Sequence, residues 1–363
     1  MINVFFDKPD LEIREWCRDI FQNQEFQFVS NYAGLNKTDT VSMISGLQIS
    51  QIFDNPQEKA DLVDYYCSQS RVVFVIETEI NASIINMIGL VKSTNVYWVL
   101  PGFINNIPNV IHYGWHINQT INTFNIHRPE LNPYKVKPKY FDALLGTNKP
   151  HRNYLHEYLI GQGLSDKIIL KYHGRHNTET LVGTEHFAWD EFSQPFAEQK
   201  IFRPDGTFYF KTGVTHSTEN VEYFGKSVRL SQIIPAPVYN ESAYSIITES
   251  FIDNNFTFYT EKITKALLSK RLFIVLSGCK YLENLKKLGF QTFENVIDES
   301  YDQIENNEQR FDMAIEQIKQ LLDKDQLEVL SNIQDICNHN YDLLISGAIH
   351  NTMINSIRDK IDE

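Results

Sequence analysis

Short apolar runs alternate along this chain with stretches whose apolar residues recur at helical spacing. Met1 to Phe6, Glu25 to Val29 and Arg71 to Ile76 read as strands, and Asp10 to Phe21 and Gln57 to Cys67 as amphipathic helices. Tyr97-Trp98-Val99-Leu100 is a strand stopped by Pro101-Gly102. The alternation resumes with strands at Tyr140 to Leu145, Ile168 to Tyr172, Tyr244 to Ile247 and Leu272 to Leu276, and with helix starts at His151, after Glu261-Lys262 and at Lys280. Beyond Asp302 the pattern is helical: Phe311, Ile315, Ile318 and Leu322 line one face of Glu308 to Leu322, and Leu327 to Ile336 forms another amphipathic stretch. This order predicts an α/β fold of two Rossmann-like domains followed by a C-terminal helical segment. The Pro- and charge-rich segment Asn132 to Pro138 sets the expected boundary, giving domains 1–135, 136–305 and 306–363. Residues 195–230 are richer in β-type sequence, with Thr207 to Phe210 as a strand after the turn Pro204-Asp205-Gly206.

A chain of 363 residues can bury two cores, and 42% hydrophobic with 13% aromatic content excludes a disordered protein. The formal net charge of −13 argues against broad, nonspecific nucleic-acid binding and leaves open one basic patch on an acidic surface. No charged-then-apolar leader opens the sequence, and no apolar stretch approaches the roughly 20 residues that cross a bilayer. A soluble, cytoplasmic protein without a membrane span is expected. Cys17, Cys67, Cys279 and Cys337 lie far apart with no Cys-x-x-Cys spacing, so neither a zinc site nor a disulfide framework is indicated.

Chemistry concentrates at strand ends and helix starts. Thr248-Glu249-Ser250 closes one strand, and Tyr259-Thr260-Glu261-Lys262 opens the next helix. A helix N-terminus favours phosphate or carboxylate, and Lys262 adds a full positive charge there. Glu261 suits the hydroxyls of a ribose, as an acceptor. The competing reading makes Glu261 an ordinary first-turn acid and Lys262 a solvated lysine. Upstream, Tyr140 to Leu145, the loop Gly146 to Pro150 and the helix start His151 to Leu155 place Arg152 in a first turn.

Together these segments resemble the alpha-1,3-fucosyltransferase family, in which an acidic-Asn-Ser segment precedes Tyr-Val-Thr-Glu-Lys and an Arg on an earlier helix contacts the nucleotide diphosphate. The resemblance covers residues 138 to 300. It implies a GT-B-like enzyme, inverting and metal-independent, with no tightly bound cofactor. Such an enzyme moves a sugar from a GDP- or UDP-sugar donor to a glycan or other hydroxyl acceptor. Arg152, Glu249, Glu261 and Lys262 would hold the donor, and the C-terminal tail would cross back onto the first domain, dimerisation being its alternative use. The family's Pro-Val-Val-Leu-Gly run is replaced here by Leu272 to Gly278, and the stretch Leu288 to Phe293 with Asp298 to Asp302 is more similar to glycosyltransferase-like proteins of phages and other large viruses. A viral enzyme glycosylating hydroxymethylated bases in DNA, and a nonenzymatic virion or assembly protein, are the alternatives.

Transfer to a hydroxyl also needs a proton acceptor. Glu77 and Glu79 follow the strand Val72 to Ile76 and are the expected catalytic carboxylates, against the reading of a solvated strand end. His112, His116 and His127 with Trp115 form a second group. His112 and His116 would share one face of a helix, but Gly114 and the surrounding aromatics favour strand or loop, so these histidines read as structural or acceptor-pocket residues rather than metal ligands. Glu185, with His173, Arg175 and His176, completes the candidates.

Overall fold

The computed structural model describes residues 2–7, 17–21, 25–46, 49, 54–77, 80, 82–146, 149–172, 220–223 and 226–363. It is α/β with parallel sheets and divides into two compact units, Met1–Trp115 with Gly347–Glu363, and His116–Ser346. The division falls between Trp115 and His116, and the segment 132–138 lies inside the second unit.

The strands of the first unit are β1 (Ile2–Asp7), β2 (Phe26–Val29), β3 (Thr40–Ser45), β4 (Val72–Ile76), β5 (Val96–Leu100), β6 (Gly102–Ile104) and β7 (Val110–His112). Six of them form one sheet in the order β2-β1-β3-β4-β5-β7, every pair parallel. Helix α1 (Pro56–Gln69) starts on Asn55, whose side chain accepts from the Gln57 N–H, with Pro56 pre-set for the first turn. Helix α2 (Ala82–Leu90) follows β4. β3 is buried along most of its length although it carries two serines; Ser42 Oγ lies 2.6 Å from Ser70 Oγ and 2.7 Å from the Tyr32 hydroxyl, so its polar group is satisfied inside. The core gathers Val4, Val41, Met43, Phe74, Val99, Ile111 and Tyr113 with Met353, Ile354, Ile357 and Ile361 from the last helix of the chain.

The second unit opens with α3 (Trp115–His127), whose first residue belongs to the preceding unit. The strand-or-loop expectation holds for His112, which ends β7, and for Tyr113 and Gly114, which connect it to α3; His116 instead lies in the first turn of that helix. The strands that follow are β8 (Lys139–Leu145), β9 (Ile168–Tyr172), the antiparallel pair β10 (Asn220–Tyr223) and β11 (Lys226–Arg229), β12 (Ser242–Thr248), β13 (Phe256–Phe258) and β14 (Phe273–Leu276). The helices are α4 (Pro150–Gly161), α5 (Ala236–Glu241), α6 (Glu261–Leu268), α7 (Tyr281–Lys287), α8 (Asn307–Leu322), α9 (Gln326–Ile345) and, in the first unit, α10 (Ala348–Asp362). The main sheet runs β14-β12-β8-β9, all parallel. Buried strands of this kind read as near-continuous apolar runs, as β14 does in full and β12 does around Ser245.

Arg271 clamps this sheet. It pairs with Asp142 of β8, bonds the hydroxyls of Ser242 and Ser245, and donates to the carbonyls of Tyr239, Ser242 and Tyr244, with both charges almost fully buried. Among the described residues no helix is long and apolar enough to cross a membrane. Thr207 to Phe210 lie outside the described residues, as does the start of the helix expected from Asp10, of which residues 17–21 are helical.

Candidate functional site

In both units the strand that follows the first goes to one side of it and the next goes to the other: β2 and β3 flank β1, and β9 and β12 flank β8. At such a reversal the connections leave the carboxyl ends of two neighbouring strands in opposite directions and open a crevice between them. In the second unit that place lies between the ends of β8 and β12, where Gly146 and Glu249 stand.

Arg152, in the first turn of α4, occupies this reversal. Its Nη2 donates to the carbonyls of Thr248 and Glu249 at 3.3 and 3.4 Å, and its Nη1 passes so close to Gly146 that a Cβ built there would lie 2.9 Å away. The guanidinium thus spans from the end of β8 to the end of β12. Helix α4 begins with Pro150 and has no side-chain cap, because Lys149 precedes it and offers no acceptor. The Lys149 ammonium instead donates to the Ser250 carbonyl and lies 4.8 Å from the centre of the Phe251 ring.

Glu249 joins this corner to the next helix. Its buried carboxylate accepts from the Thr260 hydroxyl at 2.6 Å and from the Tyr281 hydroxyl at 2.7 Å. Thr260 caps α6: its hydroxyl hydrogen goes to Glu249, while its oxygen accepts from the Lys262 backbone N–H at 3.3 Å and from the Lys262 ammonium at 3.2 Å. Lys262 also pairs with Glu261 at 3.0 Å, using a second of its three donors. Arg152, Glu249, Glu261 and Lys262 therefore belong to one connected polar network. Burial raises the Glu261 carboxyl pKa, but Lys262, Lys265 and His116 together outweigh it and hold the group at about 2. Lys265, one turn on, donates to the Ser231 carbonyl at 2.8 Å and is pushed down to about 8 by burial, against the pull of Glu261. Four cationic side chains, Lys149, Arg152, Lys262 and Lys265, surround the corner with two carboxylates.

One residue of this corner went unassigned from the sequence. His151 is buried and bonds the Glu249 carbonyl through Nε2 at 2.8 Å. A carbonyl only accepts, so Nε2 carries the proton and Nδ1 is a bare acceptor, buried without a hydrogen-bond partner among the described residues. Burial lowers its pKa to about 4, with Arg152, Lys149 and Lys262 adding to the effect. Its position directly before Arg152 in a strand–loop–helix segment was the available signal.

Elsewhere the candidates are dispersed. Glu77 is buried at the end of β4, its N–H donating to the Val99 carbonyl at 3.0 Å. His112 ends β7 stacked on Phe103 at 5.2 Å, and burial lowers its pKa to about 4. His116 lies in the first turn of α3 edge-on to Phe258 at 5.4 Å, so it shares no helix face with His112. Glu79, His173, Arg175, His176 and Glu185 lie outside the described residues, as does the side chain of His127. Among the described residues no group of three His, Cys, Asp or Glu side chains is placed to hold a metal ion.

No protein-family model matches this chain. A search of curated proteins likewise finds no match.

Proposed function

We propose that the chain is a nucleotide-sugar-dependent glycosyltransferase built from two Rossmann-like domains in a GT-B-like arrangement, and that the second unit binds the donor. The observation that carries this reading is the corner at the β8/β12 reversal. There Arg152 bridges two strand ends, and an uncapped helix start and the capped start of α6 carry Lys149 and Lys262. Such an array fits a diphosphate, because fixed cations and helix N-termini stabilise the charge that develops as the leaving group departs. Glu261, held ionised, is an acceptor for ribose hydroxyls.

In the transfer step the acceptor oxygen bonds to the anomeric carbon while the bond from that carbon to the diphosphate breaks. The acceptor proton passes to a carboxylate, Glu77 or Glu79 in this reading. The diphosphate leaves carrying the electron pair of the broken bond, toward Arg152 and Lys262.

A thermal-shift panel of GDP, UDP, CMP and their sugars tests the proposal. A ligand that binds only the native state at about a hundred times its Kd stabilises it by about 2.7 kcal/mol, so one nucleotide class should raise Tm clearly above the rest. Flat Tm values across the panel would remove the donor-site reading.

A further inference from the structure

β3 and β4 are parallel neighbours with Ser45 level with Ile76, so Gly46 and Glu77 are the first residues beyond the sheet on adjacent strands. The Glu77 backbone stays tied to β5 through its bond to Val99, which fixes where its side chain starts. That side chain lies over Gly46. A Cβ built on Gly46 would fall 1.6 Å from Glu77 Oε1, 2.2 Å from Cδ and 2.8 Å from Cγ. The glycine is not required by its backbone, since Gly46 is not among the residues with positive φ. An added Cβ would instead overlap the Glu77 side chain and displace its carboxylate. The carboxylate thus stands beside the β1/β3 reversal of the first unit, the place where a parallel sheet of this order opens a crevice.

We propose that Gly46 is a positioning residue: by lacking a side chain it holds the Glu77 carboxylate over the carboxyl end of β3, where that group takes the acceptor proton. This rests on the reading of Glu77 as the base. Any larger residue at position 46 must evict the carboxylate, while leaving the donor corner of the other unit untouched.

The test uses Gly46→Ala, Glu77→Gln and the double variant in the full chain, measuring transfer from whichever nucleotide sugar raises Tm, with donor affinity by calorimetry. Gly46→Ala should keep donor affinity and lower turnover by about 10²-fold, within the range that loss of a positioned base spans. The double variant should be no slower than Glu77→Gln alone, because both changes remove one function. Slow Glu77→Gln with an unslowed Gly46→Ala overturns the positioning role and leaves the base standing. Parent-rate Glu77→Gln overturns the base and the positioning role with it. A packing readout stands apart from activity: Gly46→Ala should lower the urea midpoint in the parent and not in Glu77→Ala, and an equal drop in both backgrounds overturns the proposal.

Discussion

Lys262 gives two of its three ammonium donors to Thr260 and Glu261, and under the proposed donor reading the third is the one offered to a phosphate. A charged contact of that kind contributes about 1.5–3 kcal/mol, so Lys262→Ala should weaken nucleoside-diphosphate binding about tenfold or more without unfolding the chain. Calorimetry on the folded variant decides it, and an unchanged Kd would return Lys262 to the role of a surface lysine. His151 makes a different prediction. Its folded pKa of about 4 lies below the ordinary histidine value near 6.5, so between those values the unfolded chain binds the extra proton. The stability this group supports is complete above pH 6.5 and is lost as pH falls toward 4, by about 2 kcal/mol at pH 5. Urea midpoints at pH 6.5 and 5 should show a smaller drop in His151→Gln than in the parent; equal drops would mean that His151 is not the group titrating.

At the scale of elements, two polar joints hold the second unit's sheet and its site. The Thr260 hydroxyl both caps α6 and satisfies the buried Glu249 carboxylate, so Thr260→Val, which keeps the shape and removes the hydroxyl, should cost roughly 1–3 kcal/mol by urea denaturation. The Arg271–Asp142 pair lies deeper. Arg271→Met leaves the buried Asp142 carboxylate without its counterion and should cost about 3–5 kcal/mol, part of which returns in the double variant Arg271→Met/Asp142→Leu. Equal stabilities of the single and double variants would contradict this account. Much of this level was legible in advance. β14 shows itself as an apolar run, β12 and β8 as apolar runs broken by Ser245 and Asp142, and the Thr-Glu-Lys start of α6 carries its own cap. β3 escaped notice because its buried Ser42 is satisfied by Tyr32 and Ser70, partners that no local pattern reveals. The grouping of Arg152 with Glu249, Glu261 and Lys262 is expected from the resemblance; what periodicity does not reveal is its basis, β8 lying beside β12. The space over Gly46 is likewise a fact of the fold, since a glycine without positive φ leaves no turn signature.

For the whole molecule, the second unit is one continuous stretch, His116–Ser346, whereas the first is assembled from both ends of the chain. The fragment 116–346 should therefore fold alone and keep the nucleotide affinity of the full chain, checked by calorimetry on the isolated piece. Ending the chain at Ser346 should have the opposite effect on the first unit. It removes Met353, Ile354, Ile357 and Ile361 from the core; at about 1.5–3 kcal/mol each, their loss approaches the entire stability of a typical domain. Limited proteolysis should then cut within residues 1–115 faster than in the full chain, and intact survival of the first unit would refute the dependence.

The same division reverses the order in which the protein can be completed as it is made. The strands β1 to β5 leave the ribosome before the second unit, yet the residues that close their core, Met353 to Ile361, are joined after it. At synthesis rates of about 5–20 residues per second, an unsealed parallel sheet waits roughly 10–50 seconds while the second unit emerges and folds. Nascent chains stalled before Gly347 should accordingly recruit holding chaperones through their first 115 residues, and chains released after Ile361 should not. Of the two units, the one whose strands are translated earlier is the one that is closed later.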